Sequence, residues 1–199
     1  MARLISLGAA QLGPIAKDES KADVVERLIA LLHDADEQAI EVLVYPELAL
    51  TTFFPRWWIE DPSEFDHYYH SEMPDRDTQP LFDEAKRLGI GFALGYAELS
   101  TDGDGTVHRY NTTILVDGEG KEVGKYRKVH IPGHSDHEPW REFQHAERHY
   151  FEPGDDFPVY RGFGGLVGMA ISNDRLVRFS KAFRQIDQVE KPLRTAIHR

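Results

Sequence analysis

Val42-Leu43-Val44-Tyr45-Pro46-Glu47 is a short continuous apolar run closed by a proline and a carboxylate. Four apolar residues in a row are too few for a helix and suit a buried strand. Before it, residues 18–38 place Val24, Val25, Leu28, Leu31, Leu32 and Ala35 at helical spacing, with Asp18 positioned as a cap. Earlier still, Leu4 to Ala10 alternates loosely into Gln11-Leu12-Gly13-Pro14, a strand and a turn. Strand, amphipathic helix and buried strand in succession define an α/β protein. Downstream, residues 77–88 predict a second helix stopped by Gly89, and Ile90 to Glu98 the next buried strand. Asp102-Gly103-Asp104-Gly105 is a turn between strands, too short for a calcium loop. Thr112 to Val116 and Glu122 to Tyr126 predict a hairpin around Asp117-Gly118-Glu119-Gly120. A long loop rich in His and Pro spans 130–157. Val159-Tyr160 and Gly165 to Ile171 are further strands, broken by Gly162, Gly164 and Gly165.

The 199 residues, 41% hydrophobic and 29% charged, are enough for one domain with its own core. No apolar run approaches the roughly 20 residues needed to span a bilayer, and the N-terminus lacks the form of a signal peptide, so the expected compartment is the cytoplasm. The absence of cysteine excludes disulfides, thiolate metal ligands and a thiol nucleophile. A net charge of −11 argues against nucleic acid as a partner. The charge is uneven: residues 175–199 hold 7 Lys+Arg against 2 Asp+Glu. This break divides the chain into a domain over 1–175 and a divergent basic tail over 176–199. The tail's Val177, Phe179, Ala182, Phe183, Ile186 and Val189 suit a short basic amphipathic helix, with Pro192 to stop it. Asn111-Thr112-Thr113 has the form of a glycosylation acceptor but reads more simply as part of a strand.

Three places suggest chemistry. Glu47 directly follows an apolar strand, where a pocket can hold a carboxylate for general acid–base work. Lys128 lies in Tyr126-Arg127-Lys128-Val129-His130, where a cation can pair with Glu47 and steady a developing oxyanion. Ser172 lies in Gly168-Met169-Ala170-Ile171-Ser172-Asn173-Asp174-Arg175, at the end of a Gly-rich strand where a nucleophile commonly sits. Taken singly each has a plain reading: a surface or capping carboxylate, a solvated charge run, an ordinary turn. His130, His134, His137, His145 and His149 invite a metal reading, but a polar loop produces such spacings readily and no metal is expected. Phe53, Phe54, Trp57 and Trp58 are expected in core or subunit packing, or as a pocket wall.

Together and in this order, the three stretches resemble the nitrilase superfamily of carbon–nitrogen hydrolases. The resemblance implies a four-layer α-β-β-α sandwich, present here only in its larger N-terminal part. It also implies Glu47 as general base, Lys128 as oxyanion stabiliser and position 172 as nucleophile, where the family carries cysteine and this chain serine. Tyr126 to Gly133, His137 to Trp140, Phe143 to Arg148 and Tyr150 to Asp155 are most similar to N-carbamoyl-D-amino-acid hydrolases. That likeness implies Glu147 as a second carboxylate holding Lys128, His130 and His145 lining the pocket, Asn173 beside the intermediate, and Arg175 pairing with a substrate carboxylate. Leu176 and Val177 depart from the subgroup, which continues with Arg, Trp and Pro. The expected reaction is hydrolysis of a carbamoyl C–N bond in a small N-carbamoyl amino acid or amide, without a cofactor, by a homodimer or homotetramer. Rival readings are a relic that binds substrate without turnover and a serine-type amidase using Ser172 with Lys128. A chain lacking part of the sandwich is expected to expose sheet edges and associate with itself.

Overall fold

The computed structural model describes residues 4–175; the predicted tail helix lies outside them. In order, the elements are β1 (Leu7–Ala9), α1 (Lys21–Glu37), β2 (Val42–Val44), α2 (Pro62–Phe65), α3 (Gln79–Leu88), β3 (Gly91–Thr101), β4 (Val107–Val116), β5 (Glu122–Arg127), α4 (Glu147–Tyr150), β6 (Val159–Gly162) and β7 (Gly165–Gly168). Strands β1 to β5 form one sheet in sequence order. β1, β2 and β3 run parallel, and β4 and β5 continue antiparallel as hairpins. β6 and β7 form a second, two-stranded sheet.

α1 begins at Lys21 because Ser20, rather than Asp18, supplies the cap: its hydroxyl accepts from Asp23 N and donates to the Asp23 carboxylate. α3 ends at Gly89, whose φ of 72° is the left-handed position glycine tolerates. Both helices lay apolar stripes on one face of the sheet. Val25, Leu28, Leu32 and Ala35 of α1 and Leu81, Phe82 and Ala85 of α3 meet Leu43, Phe92, Leu94, Tyr96, Ile114 and Val116. The α/β expectation is met: a helical layer covers the sheet, and β6–β7 lies on the opposite side.

Side-chain parity in β3 separates the two faces. Phe92, Leu94 and Tyr96 point at the helices, while Gly91, Ala93, Gly95 and Ala97 present small surfaces to the other side. Other chain can approach there closely. A Cβ on Gly91 would meet the Phe163 ring at 2.5 Å, and one on Gly95 would meet Pro46 O at 2.7 Å and Leu48 N at 2.9 Å. Ala93, Leu115 and Tyr126 pack on this side against Phe157, Met169 and Ile171, which brings the segment after β7 over β5. The aromatic group divides: Phe54 is fully buried among Tyr68, Tyr69, Tyr150 and Phe151, Trp57 and Trp58 are half-buried against that cluster, and Phe53 is exposed.

Several boundaries differ from the sequence reading. β4 starts at Val107, because its first half pairs His108, Arg109 and Tyr110 with the polar end of β3 and shows no apolar run. The 130–157 loop contains α4, whose four residues are too few to display a period. Val44 is 44% exposed, so the β2 run is not covered on both faces.

Candidate active site

Lys128 follows β5 directly and is fixed by its backbone: its N–H donates to Asn111 O (2.8 Å) and its carbonyl accepts from Gly154 N (2.9 Å). Parity sends the neighbouring cation elsewhere. Arg127 points to the helical face, where it grips Glu98 through two bonds of 2.9 Å, with Lys125 and Thr112 on the same carboxylate. Burial pushes the Glu98 carboxyl up, but Arg127, Thr112 and Lys125 outweigh it and hold the group below its ordinary range. The Tyr126-Arg127-Lys128 run therefore divides between structure and site.

On the site side, Lys128 is 1% exposed and stands between two carboxylates, Nζ donating to Glu47 Oε1 at 2.6 Å and to Glu147 Oε2 at 2.7 Å. A buried ammonium of this kind is stable only with such pairing. Two of its three donors are engaged among the described residues. Asn111, fully buried in β4, donates from Nδ2 to the same Glu47 oxygen at 2.7 Å. Glu47 is carried by the turn after β2, where Leu48 has φ 51° and Ala49 N donates to Gly95 O. Glu147 opens α4, and His145 Nε2 lies 3.3 Å from its Oε1.

Ser172 sits on the turn after β7 at φ 42°, a left-handed conformation that costs a non-glycine residue about 1–2 kcal/mol. It is exposed, and with Glu47 it borders a cavity of about 420 Å³ otherwise walled largely by apolar residues, among them Val44, Ala93, Leu115, Phe163 and Ile171. The turn is pinned by Asp174. Its buried carboxylate accepts from Tyr126 Oη (2.6 Å), His130 N (2.9 Å), His130 Nδ1 (3.0 Å) and Ile171 N (2.9 Å). Burial and the Asp174 carboxylate push the Tyr126 hydroxyl up, so it remains a donor.

The structure thus brings Glu47, Lys128 and Glu147 into direct contact and places Ser172 on the cavity that Glu47 borders. His130 turns its ring to Asp174, Asn173 donates from Nδ2 to His130 O at 3.1 Å, and Arg175 is exposed. The remaining histidines are used locally: His134 Nδ1 contacts Asp136 O, His137 stacks on Trp58, and His149 Nε2 contacts Ile59 O. Among the described residues, no group of three or more His, Asp or Glu is placed to hold a metal ion, and no helix is long and apolar enough to cross a membrane. Sequence reasoning missed Asn111 and Asp174. For Asn111 the one available signal was a polar residue on the same face of β4 as the buried Leu115, two steps of parity away through Thr113; Asp174, outside any strand, offered none.

The described residues thus form a mixed α/β fold with a lysine buried between two glutamates. The chain belongs to the carbon–nitrogen hydrolase family, which it matches over residues 6–184. It is 33% identical over 146 residues to an N-carbamoylputrescine amidase of Arabidopsis thaliana, covering 73% of this chain and 44% of that protein. The fold superposes on a carbon–nitrogen hydrolase from Helicobacter pylori G27 with a TM-score of 0.68 at 22% identity, covering 91% of this chain and 55% of that one. It also superposes on a mutant amidase from Nesterenkonia sp. AN1 that shows Michael addition of acrylamide at its active-site cysteine, with a TM-score of 0.62 at 20% identity over 84% and 57% of the two chains. The chain spans about half the length of the N-carbamoylputrescine amidases it matches.

Proposed function

We propose that this chain carries the site of an amidohydrolase that cleaves the carbamoyl C–N bond of N-carbamoyl amino acids, with position 172 as the nucleophile. The observation that carries the reading is Lys128, buried between Glu47 and Glu147, with Ser172 on the cavity that Glu47 borders. In the reaction the residue-172 nucleophile attacks the carbamoyl carbon and its proton passes to Glu47. Charge gathers on the carbamoyl oxygen, for which the unengaged Lys128 donor is available. The leaving nitrogen takes the proton from Glu47, and a carbamoyl–enzyme bond remains. Water, positioned with the help of Glu147, hydrolyses that bond and carbon dioxide and ammonia complete the products. His130, His145 and Asn173 stand around these groups, His145 against Glu147 and the other two beside the Ser172 turn. Arg175, exposed beside Ser172, binds the substrate carboxylate, since a guanidinium matches a carboxylate in bidentate fashion. The D configuration rests on the sequence likeness in residues 126–155.

Two specific observations favour further readings. The matching proteins from Arabidopsis and Solanum are named N-carbamoylputrescine amidases, which supports a cationic N-carbamoyl amine as substrate. Serine at 172 favours a protein that binds substrate and turns over slowly or not at all. A serine hydroxyl is far less acidic than a thiol, and a carboxylate is a weaker base than the histidine that usually activates serine.

Ammonia release from N-carbamoyl-D- and L-amino acids and from N-carbamoylputrescine, by the chain and its Ser172→Cys variant, tests these readings. Hydrolysis of the D-amino acid derivatives, gained or raised by several orders of magnitude in Ser172→Cys and lost again with Arg175→Ala, is the expected result. Preference for N-carbamoylputrescine, insensitive to Arg175→Ala, would move the substrate to the amine. Comparable turnover in both proteins would establish a serine enzyme. Silence in a folded Ser172→Cys protein would overturn the hydrolase reading.

A further inference from the structure

We propose that Asn111 is a positioning residue of this reaction: with Lys128 it occupies Oε1 of Glu47 and reserves Oε2 for the proton of the attacking nucleophile. The inference rests on the amidohydrolase reading above.

The two oxygens of a carboxylate are equivalent in water. Here Oε1 accepts from Lys128 Nζ at 2.6 Å and from Asn111 Nδ2 at 2.7 Å, while no donor among the described residues reaches Oε2. Two charge-assisted bonds converging on one atom fix the rotation of the carboxylate plane. A single bond from the lysine would leave the group free to swing about it. The second bond comes from a rigid source. Asn111 lies inside β4, is paired across to Ala97 of β3, and is fully buried, whereas Glu47 hangs from a turn.

The same residue also sets the position of the lysine, because Asn111 O accepts from Lys128 N at 2.8 Å. One strand residue thus gauges the spacing of base and cation, through its side chain to one and its backbone to the other. The residue type fits the task. An amide supplies a donor without a charge, so it orients Glu47 without adding a second cation beside it. Its Oδ1 is buried and has no partner among the described residues. An unpartnered buried amide oxygen opposes folding, so the side chain is better explained by its donor than by stability.

The chain has no cysteine, so Ser172→Cys creates a single thiol that reports on its own environment. The rate of acrylamide alkylation of that thiol, followed by intact mass from pH 5 to 9, is the readout. In Ser172→Cys the thiol should react at pH 6–7 at least about tenfold faster than in the same chain unfolded in denaturant, as expected for a thiol served by a nearby base. Adding Asn111→Ala should lower that rate about tenfold, the effect of one hydrogen bond to a charged group, and move the acid limb of the profile to higher pH. Asn111→Leu, which keeps the branched shape without a donor or a charge, should do at least as much, and it carries the test if the alanine variant does not fold. Adding Glu47→Gln should remove the excess reactivity, after which Asn111→Ala should change nothing more. An unchanged profile in the Asn111 variants, or an equal loss with Glu47→Gln present, would show a merely structural residue and overturn the inference. A parent thiol no faster than the unfolded one would instead overturn the amidohydrolase reading, and the inference with it.

Discussion

Asp174 receives four hydrogen bonds within a turn of only a few residues, and it ties the Ser172 turn to both Tyr126 and His130. Replacing it by alanine leaves those donors buried and unpaired. Asp174→Ala is expected to cost about 3–5 kcal/mol in denaturant unfolding, and Asp174→Asn less, since one amide oxygen still accepts. His70 offers a second residue-scale expectation. Its ring is fully buried, Nδ1 is 2.6 Å from Asp75 Oδ2, and Nε2 has no partner among the described residues. Burial and then the Lys21 charge push the imidazole down, against the opposing pull of Asp75 and Asp77. Burial raises the Asp75 carboxyl, but His70 and Thr78 outweigh it and bring the group to about 2. In both cases the unfolded chain binds more protons. Stability is therefore complete above about pH 6.5, the ordinary histidine value, and falls as acid first protonates unfolded His70 and then, below about pH 4, unfolded Asp75. Thermal midpoints between pH 8 and 3 should show both slopes. His70→Asn, whose amide can replace the Nδ1 donor, should remove the upper one.

At the scale of elements, the elements that announce themselves are those with a period. Val24, Leu28 and Leu32 mark α1, Gly89 marks the end of α3, and Asp117 to Gly120 mark the β4–β5 turn. What escaped depends on contacts across the chain. Nothing local to Asn111 reveals that Glu47, 64 residues away, accepts its amide hydrogen. Nothing local to Arg127 reveals that Glu98 claims it while Lys128 is left for the site. Glu47 and Lys128 were legible because their flanking stretches are distinctive, and Ser172 by its place after a Gly-rich strand. Gly95 shows how an element carries a site. The Glu47 turn crosses β3 where a Cβ would lie 2.7 Å from Pro46 O and 3.0 Å from Glu47 Cα. Gly95→Ala is expected to lower stability by about 1–3 kcal/mol and to displace Glu47. Alkylation of the Ser172→Cys thiol should then slow as it does with Glu47→Gln. Unchanged reactivity would show that the turn yields without moving the carboxylate.

At the scale of the molecule, the sheet is unequally covered. The helices close one face, but on the other Leu7 is 66% exposed and Val44 44%, next to the cavity bordered by Glu47 and Ser172. Apolar surface on a three-residue edge strand invites association. The chain is expected to sediment as a mixture of oligomers, and Leu7→Lys with Val44→Lys to shift it towards monomer. A sharp monomer in the parent would refute that. The alternation of Arg127 and Lys128 has a consequence for how such a sequence tolerates insertion and deletion. Losing one residue from β5 would exchange the faces of the two cations, turning the guanidinium to the site side in the place of Tyr126 and the ammonium to Glu98, though the composition would barely change. Losing two would keep each on its own side. The strand therefore counts in pairs, and odd-length changes between Asp117 and Lys128 should abolish the site where even-length ones weaken it.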